Sequence, residues 1–390
     1  MLYEMENSML DRTRSALERL VAFNTVSDRS NMDLISYIRA YLSGLGIESV
    51  LKVDPSGAKS GLLATIGPAV PGGVVLSGHS DVVPVEGQRW TSNPFKLTER
   101  GGRLYGRGTT DMKGFLAACL AKVPEMIAGG LRRPIHLAIS SDEETTCCGV
   151  RPIIEGMKRE LPPIACVIVG EPTEMRLVNA QKGAYGYSVS LTGREVHSSI
   201  AHQGVSAVAM AARLVSWIDD TMRKNAASAV PGQFSPNFTT CHTGIIRGGT
   251  ACNITAGECG FEWELRTLPD DDPVAFLDRF GAQANLILQE ARQVSDSCRI
   301  DWVETYAIPA MRAERDGAAE SFCMQLTGSN SALAVSFGCE AGLFQEAGFS
   351  TAILGPGSIE QAHKPDEYIE PEQLSACETF LSQLIAAQAA

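Results

Sequence analysis

Val74-Val75-Leu76-Ser77-Gly78-His79-Ser80-Asp81 is the stretch that decides the fold. Three branched apolar residues run into a small Ser-Gly pair, and polar groups follow at once. A short, continuously apolar run of this kind reads as a strand covered on both faces, as in a parallel sheet. His79 and Asp81 are two residues apart, so in extended geometry their side chains leave the same face. The pattern recurs. Residues 135–139 form an apolar run that ends in Asp142-Glu143-Glu144, and residues 165–169 form another that ends in Gly170-Glu171. Near the C-terminus, residues 351–354 and the turn Gly355-Pro356-Gly357 precede His363. Asp111 follows the glycine- and threonine-rich turn from Gly106 to Thr110 and precedes an apolar helix over 115–127.

Around these runs the chain alternates strand and helix. Leu10, Leu17, Leu20 and Val21, then Leu34, Ile35, Ile38 and Leu42, fall at helical spacing. From about Lys182 the texture changes. Residues 185–191 alternate in strand fashion, 205–218 and 270–288 read as helices, and 238–240 and 259–265 as strands. Past about Cys298 the strand–helix alternation resumes, and 371–387 closes the chain as a helix. The expected class is α/β: a mostly parallel sheet flanked by helices and interrupted by a smaller α+β unit with an antiparallel sheet and two helices. The boundaries read from the sequence are 1–181 and 296–390 for the larger domain and 182–295 for the insert.

A length of 390 residues fits two domains. A net charge of −12 argues against nucleic acid or an anionic membrane as a partner. The eleven cysteines are odd in number and unpatterned, which predicts reduced thiols and a cytoplasmic setting. The N-terminus lacks the basic start and unbroken apolar core of a signal peptide, and no apolar stretch approaches a membrane span.

Singly, the polar groups have ordinary readings: Asp111 as a helix cap, the three acids at 142–144 as a solvated run, His79 as a loop cap. Jointly they place His, Asp, Glu-Glu, Glu and His at the ends of several strands, where open α/β sheets gather ligands and catalytic groups. Imidazole and carboxylate without clustered thiolates suit Zn²⁺ best and admit Co²⁺ or Mn²⁺.

Five motifs, in order, carry a family resemblance: SGHSDVVP at 77–84, GRGTTDMKG at 106–114, SDEE at 141–144, GEPT at 170–173 and AHKPDEY at 362–368. The chain resembles the di-zinc amidohydrolase family that includes acetylornithine deacetylase, succinyl-diaminopimelate desuccinylase, aminoacylases and glutamate carboxypeptidases. The resemblance implies two zinc ions bridged by Asp111, with His79 and Glu171 completing one site and Glu144 and His363 the other. It implies that Asp81 orients His79 and that Glu143 is the general base for a water shared by the ions. His197, in GREVHSS at 193–199, is implied as an oxyanion donor supplied across a homodimer formed by the insert. Asn253 and Arg266 are implied as substrate contacts, Arg266 suiting a carboxylate through its planar fork.

Residues 193–208, 261–272, 340–348 and 355–370 look like the deacetylase branch, whose substrate is an N-acetylated amino acid with a free α-carboxylate and a cationic side chain. Glu340 would meet that cation, or else structure its loop. The chain departs from the branch at Thr145 to Gly149, at Cys339 and at Ser60-Gly61-Leu62, which leaves the metal motifs intact and keeps another N-acyl amino acid, or a dipeptide, as the alternative substrate. A catalytically silent binding protein would have lost a ligand or the base, and neither is lost. His136, His202 and His242 fall in no motif and are expected to be structural or exposed.

Overall fold

The computed structural model describes residues 2–390. It divides into two compact units: residues 1–180, 313–333 and 339–390 form the larger, and residues 181–312 with 334–338 the smaller.

The first six strands of an eight-stranded sheet run in the order Ser49–Val53, Ser60–Ile66, Ile135–Ser140, Gly73–His79, Ile164–Val169, Thr351–Ile353. The last four of these are mutually parallel. Ser60–Ile66 pairs antiparallel with Ile135–Ser140, and Ser49–Val53 antiparallel with Ser60–Ile66. Every residue of Gly73–His79 and Ile135–Ser140 is buried, which is why these strands read as mostly apolar runs, with His136 the polar exception within the second, rather than as an alternation. Helices Met32–Gly44, Lys113–Ala128 and Pro371–Ala389 supply Ile35, Phe115, Leu120, Phe380 and Leu384 to one core with Leu76, Ile139, Ile168 and Leu354. One close approach fixes the register of the site. A Cβ on Gly170 would lie 2.2 Å from the Phe115 ring, so only glycine lets this strand end close over that helix and present Glu171.

The smaller unit is a four-stranded antiparallel sheet in the order Thr240–Gly248, Glu258–Thr267, Gly183–Thr192, Arg299–Ile308, with helices Ala207–Ala227 and Pro273–Arg292. Alternate residues of Glu258–Thr267 are buried, the signature of a sheet with one covered face. Tyr187 stacks on Trp263 with centroids 4.7 Å apart, and Phe276 and Phe280 from the second helix close on the same indole. Both helix starts are capped: the Ser206 side chain accepts from Ala209 N, and Asp272 accepts from Val274 N ahead of Pro273.

The insert extends past the expected boundary at 295. Arg299–Ile308 pairs along the length of Gly183–Thr192 and therefore belongs to the antiparallel sheet rather than to the resumed α/β pattern. The strand expected at 238–240 is instead Thr240–Gly248. Most of its residues are exposed, so no buried alternation marked it in the sequence.

Candidate active site

Six side chains from five segments of the larger unit converge at the carboxyl ends of its parallel strands. Gly73–His79 ends in His79, and the Asp111 backbone leads into helix Lys113–Ala128. Glu143 and Glu144 open the one-turn helix Glu143–Thr146, Glu171 follows Ile164–Val169, and His363 lies beyond Thr351–Ile353. Asp111 stands at the centre. Its Oδ1 is 3.0 Å from His79 Nε2, and its Oδ2 is 3.3 Å from His363 Nε2. His363 Nε2 is also 2.9 Å from Glu144 Oε2, while Glu171 Oε1 and Glu143 Oε2 lie 3.9 and 4.0 Å from His79 Nε2. Ligand-type atoms of His79, Glu143 and Glu171 lie within 4.8 Å of one another, and so do those of His79, Asp111 and Glu144.

Asp81 differs from expectation. The atom bonded to His79 Nδ1 is the Asp81 backbone oxygen, at 2.9 Å, while its carboxylate stands 3.7 Å away. Nδ1–H donates to that carbonyl, which fixes the tautomer and leaves Nε2 to face the cluster. The carboxylate does other work. It accepts from Ser27 Oγ at 2.7 Å and from the backbone N–H groups of Glu143 and Glu144 at 3.2 and 3.3 Å. It therefore holds the start of the Glu143 turn, where Asp142 adopts a left-handed φ of 59° and pairs with Lys59.

The electrostatics follow from crowding acids in a dry place. Burial pushes Glu143 up to about 7, with the Asp111 and Asp81 charges adding to it. Burial and Asp111 push Glu144 up to about 8, and burial with Asp111 and Glu143 raises Glu171 well above the carboxylate range. Burial opposes a charged His79, but Asp111, Glu143 and Glu171 outweigh it and raise the imidazole well above its ordinary value. Hydrogen bonds that His363 donates to the Asp111 and Glu144 carboxylates lift it to about 10. For Asp111, burial works against ionisation, yet the two histidines overcome it and hold its carboxyl below the usual range. The cluster thus borrows protons to balance carboxylates that burial leaves short of positive charge.

The donor set fits divalent cations. Two imidazoles and three carboxylates face one another, and Glu171 Oε1 is buried with no hydrogen-bond partner.

Glu340 belongs to the larger unit. It is buried to 1%, its Oε1 has no hydrogen-bond partner, and burial with the nearby Glu143 charge pushes it up to about 8. It lies inside the fold within electrostatic reach of Glu143. Cys147 contacts the base, its Sγ lying 3.3 Å from Glu143 Oε1. His136 is buried beside Thr65, whereas His202 and His242 are exposed.

His197, Asn253 and Arg266 belong to the smaller unit. His197 and Asn253 are neighbours there: His197 bridges to Ile254, and Ser198 N donates to the Asn253 carbonyl at 2.9 Å. His197 Nδ1 accepts from Ser199 N at 3.2 Å, so a neutral ring carries its proton on Nε2 and presents a donor from an exposed position. One edge of the Arg266 guanidinium is taken by Glu264 at 3.0 Å, whose same oxygen accepts from Tyr306 OH at 3.0 Å.

The sequence model of Peptidase family M20/M25/M40 matches residues 75–387. The chain belongs to this family. Among its relatives are acetylornithine deacetylases of Edwardsiella ictaluri, 34% identical over 96% of this chain and 96% of the relative, and of Myxococcus xanthus, 33% identical over 97% of each. The M20 fold extends to an M20 metallo-carboxypeptidase of Sulfolobus solfataricus, with a TM-score of 0.76 at 16% identity over 97% of this chain and 99% of that one. It extends also to a dinuclear metal-binding peptidase of the family from Bacillus subtilis, with a TM-score of 0.69 at 14% identity over 98% of each chain. This M20 chain is a hydrolase of the metal-dependent amidohydrolase type. Among its described residues no helix is long and apolar enough to cross a membrane.

Proposed function

We propose that the chain removes the acetyl group from N-acetyl-L-ornithine, giving L-ornithine and acetate, as a two-zinc enzyme of arginine biosynthesis in the cytoplasm. The metal chemistry rests above all on one observation: the Asp111 carboxylate lies between two imidazoles, one oxygen toward each. Asp111 would bridge two Zn²⁺ ions, with Co²⁺ or Mn²⁺ as substitutes. His79 and Glu171 would complete one site, and Glu144 and His363 the other. When bound, the ions supply Lewis acidity toward the amide carbonyl and a nearby water.

The remaining steps belong to the protein. Glu143, raised to about 7 by burial and its acidic neighbours, takes a proton from the attacking water and returns it to the departing amine. Asp81 holds the Glu143 turn through its carboxylate and the His79 ring through its carbonyl. The partner subunit's His197 would donate from Nε2 to the oxyanion, in a homodimer formed through the smaller unit. Arg266 would bind the substrate's α-carboxylate, and Asn253 would lie beside it on the substrate. The substrate itself is supported by relatives named acetylornithine deacetylase at 31–34% identity over nearly the whole chain.

Initial rates on N-α-acetyl-ornithine, other N-acyl amino acids and dipeptides, with a chelated control, test the reading. Metal-dependent turnover led by acetyl-ornithine is expected. Preference for another acyl donor would move the substrate and keep the chemistry. Zinc-bound protein inert on all of them would favour a silent binding protein.

A further inference from the structure

Arg107 and Glu367 form an ion pair at 2.8 Å whose side chains are each 1% exposed. Neither is a candidate ligand, and a buried pair is a weak source of stability once the desolvation of both charges is counted. What the pair does supply is position. Glu367 accepts three N–H groups of one loop in addition to Arg107: Gly108 at 2.9 Å, Thr110 at 2.9 Å and Asp111 itself at 3.1 Å. All of the carboxylate's bonding therefore goes into the loop that delivers Asp111.

Arg107 works on the other side. Its Nη1 also reaches the Lys364 carbonyl at 3.3 Å, and its Nη2 donates to Gln88 Oε1 at 2.6 Å. Gln88 Nε2 in turn donates to the His363 carbonyl at 2.9 Å, and the Trp90 ring lies 5.1 Å from the guanidinium carbon. His363 has a φ of 62°, a left-handed conformation that a residue with a Cβ keeps only where its surroundings hold it. Two such holds are the Gln88 bond to the His363 carbonyl and the Arg107 bond to the next carbonyl, that of Lys364.

We infer that Glu367, Arg107 and Gln88 are positioning residues that set the Asp111 carboxylate and the His363 imidazole at metal-binding separation. The inference rests on the proposed ligation by Asp111 and His363. The Glu367 carboxylate, carried on the His363 segment, fixes the Asp111 backbone, the Arg107 guanidinium from the Asp111 loop binds both that carboxylate and the Lys364 carbonyl, and the Gln88 amide fixes the His363 carbonyl. Removal of such supporting bonds typically weakens metal affinity about 10- to 100-fold.

The test is titration of metal-free, full-length protein with Co²⁺ by calorimetry and by the visible absorption of the bound ion. In Glu367→Gln an amide NH₂ faces backbone donors, so Co²⁺ affinity should fall about 10- to 100-fold with a changed absorption band. Gln88→Ala should give a smaller fall in the same direction. Arg103→Ala, which removes the half-exposed pair to Glu370 on neighbouring segments, should leave both readouts unchanged. A purely structural role would lower the stability of the metal-free form while leaving affinity and absorption as in the wild type, and that result would overturn the inference. If Glu367→Gln does not fold, Gln88→Ala decides, and wild-type affinity there overturns it. Two Co²⁺ ions bound equally by wild type and both variants would overturn this inference alone. A wild type that takes up no Co²⁺ would overturn the metal reading together with it.

Discussion

Asp81→Asn separates two jobs that the sequence had merged into one. The substitution leaves the Asp81 carbonyl in place, and that carbonyl is what His79 Nδ1 bonds at 2.9 Å. It changes the carboxylate, which accepts from Ser27 Oγ, Glu143 N and Glu144 N. In the wild type Oδ1 serves Glu143 N, while Oδ2 serves Ser27 and Glu144 N. An asparagine keeps one of these oxygens. Ser27 can turn its hydroxyl to accept, but one of the two backbone N–H groups then faces an NH₂. Leaving a buried donor unpaired costs about 1–3 kcal/mol. That cost falls on the turn carrying Glu143, so kcat should drop roughly 10- to 100-fold, as for other supporting residues of metal sites. Metal content at the His79 site should stay near that of the wild type. The assay is kcat and KM on the best N-acyl substrate, beside metal stoichiometry by plasma emission on dialysed protein. Loss of one ion per chain with the His79 site emptied would refute the reasoning, because it would make the carboxylate, 3.7 Å away, the group that orients the ring.

Three further outcomes are expected. Glu143→Ala should lower turnover by about 10²- to 10⁴-fold or more with near-normal metal content; because Glu143 also lies within ligand distance of His79 and Glu171, loss of an ion instead would make it a ligand. His136 is buried and its pKa is lowered by burial from 6.5 to about 4, so the unfolded chain binds the extra proton between those values. Stability from a neutral His136 is full above about 6.5 and declines as pH falls toward 4, by up to about 3 kcal/mol. His136→Leu should flatten that acid limb in denaturation series from pH 7 to 4, and an unchanged slope would remove His136 as its source. Finally, Ile246→Lys on the edge strand Thr240–Gly248, where Ile246 is 49% exposed, should shift a homodimer to monomer in sedimentation velocity. A dimer unaffected by that charge would place the contact elsewhere.

Much of this was legible because strand ends are marked twice in the sequence. The runs at 74–76, 135–139 and 165–169 stop at small residues and pass directly to His79, Glu143-Glu144 and Glu171. Burial on both faces makes the runs apolar, and the gathering of ligand-type groups at their carboxyl ends makes the sequels polar even though His79, Asp81 and Glu171 are themselves buried, so local sequence reports a tertiary fact. Exposed elements carry no such mark, so the sequence does not show the extent of Thr240–Gly248 or that Arg299–Ile308 belongs to the antiparallel sheet.

By itself the sequence determined the fold class and the family, and it named the candidate side chains for a metal site, since each follows from strand-end motifs with residue types suited to one chemistry. Only the tertiary structure decided how those side chains are held. It assigned the Asp81 carboxylate to the Glu143 turn rather than to His79, buried Glu340 within electrostatic reach of the base, and joined Arg107 to Glu367 across 260 residues of chain. The physical reason is that a hydrogen bond is set by distances of about 3 Å and by direction. Residue type and spacing name the donors and acceptors, but partners from distant segments are chosen only when packing brings their backbones together.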